Sequence, residues 1–124
     1  MGEEVMEIIE NRKKLREKVI REAKRWAQSL KIPCTVILIG SYARGDFNLW
    51  SDIDIIVISK EFKGRPIERL DMIDISPGYE VIPITPSELT TMFRKREPMV
   101  LEMKKFGIIL RDDLNIEKMI RQHC

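Results

Sequence analysis

The stretch GSYARGDFNLWSDIDIIV, residues 40–57, opens on a glycine-serine pair and ends in a run where two aspartates alternate with isoleucines. Successive side chains of a β-strand point to opposite faces, so a strand over 52–59 sets Asp52 and Asp54 on one face and Ile53, Ile55 and Val57 on the other. Two carboxylates side by side at the edge of an apolar sheet repel each other and lose hydration, and a divalent cation relieves both costs. Mg²⁺ suits such a pair because it prefers oxygen ligands and takes phosphate oxygens into its shell, the usual arrangement of phosphoryl transfer. Taken alone, Asp-x-Asp reads more simply as a turn cap beside a solvated strand mouth.

What precedes the aspartates sharpens the reading. CTVILIG (34–40) is short, β-branched and almost wholly apolar, the pattern of a strand buried on both faces. It runs into Gly40-Ser41, where a short helical turn capped by Ser41 is expected through about Asp46. Backbone N–H groups at a helix start attract anions, a glycine lets a phosphate approach closely, and a serine hydroxyl adds a donor. With ten residues between Ser41 and Asp52, the anion loop and the carboxylate pair together describe a triphosphate-metal site.

Outward from this centre, Val5, Ile8, Leu15, Val19, Ala23, Trp26 and Leu30 recur at helical spacing, predicting one long amphipathic helix over 3–30 that Pro33 closes. PIERLDMIDI predicts a helix over 66–75 with proline in its favoured first turn, and Pro77-Gly78 ends it. YEVIPIT (79–85) reads as a third strand, which Pro83 confines to an edge or shortens. Thr85-Pro86-Ser87-Glu88 opens another helix and Pro98 restarts one through Lys105. GIILR (107–111) fits a last strand, and Leu114 to Gln122 a closing helix.

A chain of 124 residues suffices for one domain, residues 1–124, burying about two-thirds of its unfolded surface. At 44% hydrophobic and 34% charged it reads as globular rather than disordered, and a net charge of +2 selects no partner class. The acidic MGEEVMEIIE start is unlike a signal peptide and no apolar run suits a membrane span, so a cytoplasmic location is expected. Nineteen isoleucines with two glutamines and three asparagines form a composition favoured at high temperature. Cys34, His123 and Cys124 lack metal-ligand spacing, and in a thermophile a Cys34–Cys124 disulfide stays open. The long helix is segregated in charge: Glu3, Glu4, Glu7 and Glu10 come first, then eight Lys/Arg against two Glu between Arg12 and Arg25. Such a stripe is more often a solvated face than an RNA site, and no aromatic residues interleave it.

The combination of Gly40-Ser41, ten residues, and Asp52-Ile53-Asp54 resembles the signature of the DNA polymerase β-like nucleotidyltransferase superfamily, and more narrowly the minimal nucleotidyltransferases. The likeness extends over about residues 15–90. It implies an α/β (α+β) nucleotidyltransferase fold: a single domain with a small mixed sheet flanked by helices. By resemblance, Gly40 and Ser41 hold the β- and γ-phosphates of a nucleoside triphosphate, and Asp52 and Asp54 bind two Mg²⁺ ions. A third carboxylate on a neighbouring strand shares a metal and helps deprotonate the attacking hydroxyl, and Glu80 matches it. Most relatives use aspartate there, although aminoglycoside-modifying members use glutamate. Asp71 and Asp74 compete for the position but fall in an expected helix and read as solvated charges. Arg44 often has an equivalent and would neutralise a phosphate bidentately; its competing reading is a surface pair with Asp46. Trp50 is expected to pack beneath the loop rather than stack on a base.

The resemblance further implies transfer of a nucleoside monophosphate, with ATP as default donor, to an acceptor hydroxyl. Larger relatives carry an extra substrate domain. Minimal ones pair with a small helical HEPN-type ribonuclease toxin, which the nucleotidyltransferase neutralises as antitoxin by adding AMP to a tyrosine. The alternative is a binding module that keeps the fold and neutralises or scaffolds a partner without chemistry, a reading to which Glu80 in place of aspartate lends its only support.

Overall fold

The five consecutive apolar or β-branched residues TVILI form β1 (Thr35–Ile39), every one of them buried, in a computed structural model that describes residues 2–122. β1 runs antiparallel to β2 (Ile53–Ile58) on one side and to β4 (Ile108–Asp112) on the other. β3 (Tyr79–Ile84) joins β2 in parallel and completes a four-stranded mixed sheet of order β3-β2-β1-β4. Pro83 therefore lies on an edge strand, as its missing N–H requires.

Helices cover both faces, which is why the inner strands read as unbroken apolar runs. On one face α1 (Gly2–Ser29) packs Val19, Ala23, Trp26 and Ala27 against Val36, Leu38, Ile55, Val57 and Val81. On the other, Ile37, Ile56, Ile58 and Ile84 meet Leu89 and Phe93 of α4 (Pro86–Arg94), Val100 and Met103 of α5 (Pro98–Phe106) and Ile120 of α6 (Glu117–Gln122). Arg111 on β4 donates to the carbonyls of Ala27 and Leu30 at 2.7 and 2.8 Å, satisfying acceptors that the end of α1 leaves open. Among the described residues no helix is long and apolar enough to cross a membrane.

Two expectations are corrected. The helix predicted over 66–75 is one turn, α3 (Pro66–Arg69), followed by a 3₁₀ turn at Leu70–Met72. Tertiary contacts end it early: Ile73 turns extended and buries its side chain, and the Trp26 indole donates to the Asp74 carbonyl at 2.7 Å. Asp74 thus lies outside any helix. The closing helix begins at Glu117 rather than Leu114, because the Asp112 carboxylate accepts from the Ile116 and Glu117 N–H groups and Asn115 takes a left-handed turn. Cys34 is buried, while His123, Cys124 and the pairing considered for Cys34 with Cys124 lie outside the described residues.

The start of α4 was written locally and is found as written. Thr85 Oγ1 accepts from the Glu88 N–H at 3.1 Å and the Glu88 carboxylate accepts from the Thr85 N–H at 2.8 Å, a reciprocal capping box. Glu88 also binds the buried Arg69, whose guanidinium reaches the Pro83 carbonyl at 3.2 Å, and this pairing holds the Glu88 carboxyl below its usual range. Replacing Thr85 by alanine is expected to cost about 1 kcal/mol of unfolding free energy, read from the urea midpoint, with Thr85→Ser retaining most of it.

Candidate active site

At the end of β1 the chain enters α2 (Gly40–Arg44) without a side-chain cap. Ser41 lies inside the first turn, not before it, so its expected capping role is corrected. Its carbonyl instead accepts from the Gly45 and Asp46 N–H groups at 2.7 and 3.1 Å, and Gly45 closes the turn with φ +95°. α2 is pinned from two directions. Tyr42 stacks on buried Phe47 at 4.4 Å between ring centres, and Arg16 of α1 donates to the Tyr42 and Ala43 carbonyls at 2.7 Å each. Arg12 of α1 donates to the Phe47 carbonyl at 2.6 Å, so the long helix sets the position of the loop.

Gly40 meets two demands that no other residue meets together. Its φ is +76°, and a Cβ built there would stand 2.3 Å from Asp54 Oδ2. The contact follows from register: Ile39 pairs with Asp54 across β1 and β2, which brings the start of α2 against the Asp54 carboxylate. Across the parallel ladder Asp54 pairs in turn with Glu80. Directly paired residues share a face, and this is the face that α5 covers. Asp52 sits just outside β2, two residues before Asp54, and is exposed, as is Glu80.

The crowding has an electrostatic consequence. Asp54 is pushed up to about 6, chiefly by burial, then by the charge of Glu80 and a hydrogen bond with it, with Asp52 and Glu102 adding. Glu102 comes from α5 and was missed by sequence reasoning; one glutamate in an amphipathic helix carries no signal of where the helix docks. It forms an ion pair with Arg44, whose Nε also stands 3.2 Å from Asp46 Oδ2. In this state Arg44 is therefore held by carboxylates, Asp46 among them as the surface-pair reading expected.

Asp71 and Asp74 lie elsewhere, lining a hollow with Ser29, Leu30 and Lys31 at the end of α1. Trp50 is 86% exposed, against the expectation that it packs beneath the loop; Phe47, 4% exposed, fills that place. Among the described residues no three acidic, histidine or cysteine side chains are already gathered as a metal-ligand cluster. The donors present are all carboxylate oxygens, a hard set that fits Mg²⁺ in kind, and Asp54 is raised by burial first and then by its acidic neighbours.

A family model for the nucleotidyltransferase domain matches residues 12–118. Solved structures similar to the chain include a protein from Sulfolobus solfataricus provisionally assigned as a nucleotidyltransferase, 24% identical with a TM-score of 0.49. They also include a toxin-antitoxin crystallised with AMP-PNP, 16% identical with a TM-score of 0.50. Each likeness covers 82% of this chain and 83% of the other. At 16% identity the second bears on the fold alone. No curated protein matches.

The sign of the Asp54 shift sets a pH dependence. A carboxyl raised in the folded state favours folding fully below its unfolded value, and that contribution is lost as pH climbs through about 6. Asp54→Asn, which cannot ionise, is expected to gain on the wild type between pH 4 and 6 and to keep the advantage above. Melting temperatures in chelator-treated buffer at about pH 4.5 and about pH 7.5 read this; an equal difference at both would refute it.

Proposed function

The chain belongs to the nucleotidyltransferase-domain family, and from that premise we propose that it transfers a nucleoside monophosphate, by default AMP from ATP, to an acceptor hydroxyl with release of pyrophosphate. The observation that carries the reading is the Asp54 carboxylate, held against the Cβ-less Gly40 on one side and paired in register with Glu80 on the other.

In this reading the Gly40 backbone and the Ser41 hydroxyl receive the outer phosphates of the triphosphate, beside the Asp54 carboxylate that Gly40 allows to approach the turn. Arg44 exchanges its carboxylate partners for a phosphate, a substitution its planar fork suits. Asp52, Asp54 and Glu80 would hold Mg²⁺, two ions by family resemblance. When bound, Mg²⁺ neutralises phosphate charge and aligns the reacting groups. Glu80 takes the proton of the acceptor hydroxyl as its oxygen bonds to the α-phosphorus and the bond to the β-phosphate oxygen breaks. Positioning and charge neutralisation supply most of the acceleration in such transfers.

Residues 1–124 are read as one nucleotidyltransferase domain. By resemblance to the minimal nucleotidyltransferases, the acceptor is assigned to a protein partner: a tyrosine of a small helical HEPN-type toxin, for which this chain acts as cytoplasmic antitoxin. A toxin-antitoxin solved with AMP-PNP shares the fold, which supports a toxin partner and an adenine nucleotide, while the tyrosine and the HEPN type rest on the family resemblance.

Incubation with the protein encoded beside it, Mg²⁺ and ATP should add the mass of one AMP to that partner, and Asp52→Asn should abolish the addition. Glu80→Gln is expected to slow transfer by about 10²-fold or more while ATP still binds and raises the melting temperature. A partner bound and inhibited equally by wild type and Asp52→Asn, with no change in mass, would establish a binding module instead.

A further inference from the structure

We infer that the first half of α1 is one side of a two-fold interface, across which a second copy of this chain lays its own α1 antiparallel. The apolar stripe that buries Val19, Ala23 and Trp26 does not stop where the sheet stops. Val5, Ile8 and Ile9 continue it at three- and four-residue spacing, and there they are 55–60% exposed. Among the described residues, the first side chain of α1 to hydrogen-bond the rest of the chain is Arg12. Residues 2–11 thus project from the sheet as helix with a bare apolar face. Short helical segments are marginal in water without a packed face, and a contiguous bare stripe marks a contact surface.

The molecule also carries the complementary surface. Between α1 and the loop after α2 lies an open hollow of about 280 Å³, lined by Ile8, Leu15, Phe47 and Leu49 and almost wholly apolar. Leu49 is 79% exposed at its rim. In an antiparallel pair centred near Asn11, Ile8 of one copy meets Leu15 of the other, and each projecting helix fills the other's hollow. The same patch serves both copies, so the contact closes on itself as a two-fold pair. Arg12 lies in the middle but is turned back onto its own domain, with its guanidinium 4.6 Å over the Phe47 ring.

Charge selects both the occupant and its direction. The projecting end carries Glu3, Glu4, Glu7 and Glu10, and the stretch from Arg12 to Arg25 holds eight Lys/Arg against two Glu. Antiparallel packing sets each acidic end beside the other copy's basic stretch. Parallel packing sets like beside like and is disfavoured. The helix is its own electrostatic complement, which a generic apolar partner would not require. This inference does not rest on the proposed chemistry.

Sedimentation equilibrium of the full chain over a wide concentration range tests it. The wild type is expected to dimerise, and Val5→Ser with Ile8→Ser to raise the dissociation constant by about tenfold or more. A triple variant Glu4→Lys, Glu7→Lys, Glu10→Lys and a second triple variant Lys13→Glu, Lys14→Glu, Lys18→Glu should each be monomeric, yet form a dimer when mixed. All these positions are exposed, and unchanged circular dichroism of the variants confirms folding. A monomeric wild type, which would leave the stripe to another protein, overturns the proposal. So does a dimer that the serine variant leaves intact, or a mixture of charge variants that stays monomeric.

Discussion

A Cβ at residue 40 would stand 2.3 Å from Asp54 Oδ2, so any residue but glycine at that point forces the carboxylate to move. The same residue must adopt a positive φ for the chain to leave β1 directly into α2. Strand pairing, loop and carboxylate are therefore one constraint seen from three sides. A single methyl group there would displace the Asp54 carboxylate and strain the turn at once.

The sheet places this constraint at a boundary. Along β2, Ile55 to Ile58 are fully buried between two helical layers, while Asp54 is half-buried and Asp52 is exposed. Charge thus increases as packing runs out. Asp54 is caught between the two regimes: near enough to the core to lose hydration, near enough to Glu80 and Glu102 to feel their charge. A fold selected for stability alone would put an apolar residue there. Carboxylates crowded in this way at a sheet edge are the feature on which the proposed cation and triphosphate site rests.

α1 couples the site to the rest of the molecule. Its last turns close one face of the core, and Arg12 and Arg16 in its middle hold the backbone around α2. Its first turns reach past the sheet. A contact formed there would act on the same helix that positions the loop, and the hollow beside it is lined by Arg12 and Phe47, which also hold that loop. α5 bears on the site from the opposite side through Glu102 and its ion pair with Arg44.

Much of this was legible in the chain because it is local. Alternation within DIDIIVIS separates carboxylates from isoleucines, unbroken apolar TVILI announces two covered faces, Pro83 assigns an edge, and Thr85 with Glu88 starts a helix. Each signal spans a few residues and depends on side-chain period or a missing N–H. What only the tertiary structure decided joins residues remote in sequence. Strand register stands Glu80, and not Asp71 or Asp74, beside Asp54. Docking of α5 delivers Glu102 to Arg44, and Phe47 rather than Trp50 fills the space beneath the loop. The helix begun at Pro66 ends where Ile73 finds a pocket and Trp26 finds a carbonyl. Register and docking are set by many weak contacts summed over the whole core, and no short stretch of sequence contains that sum.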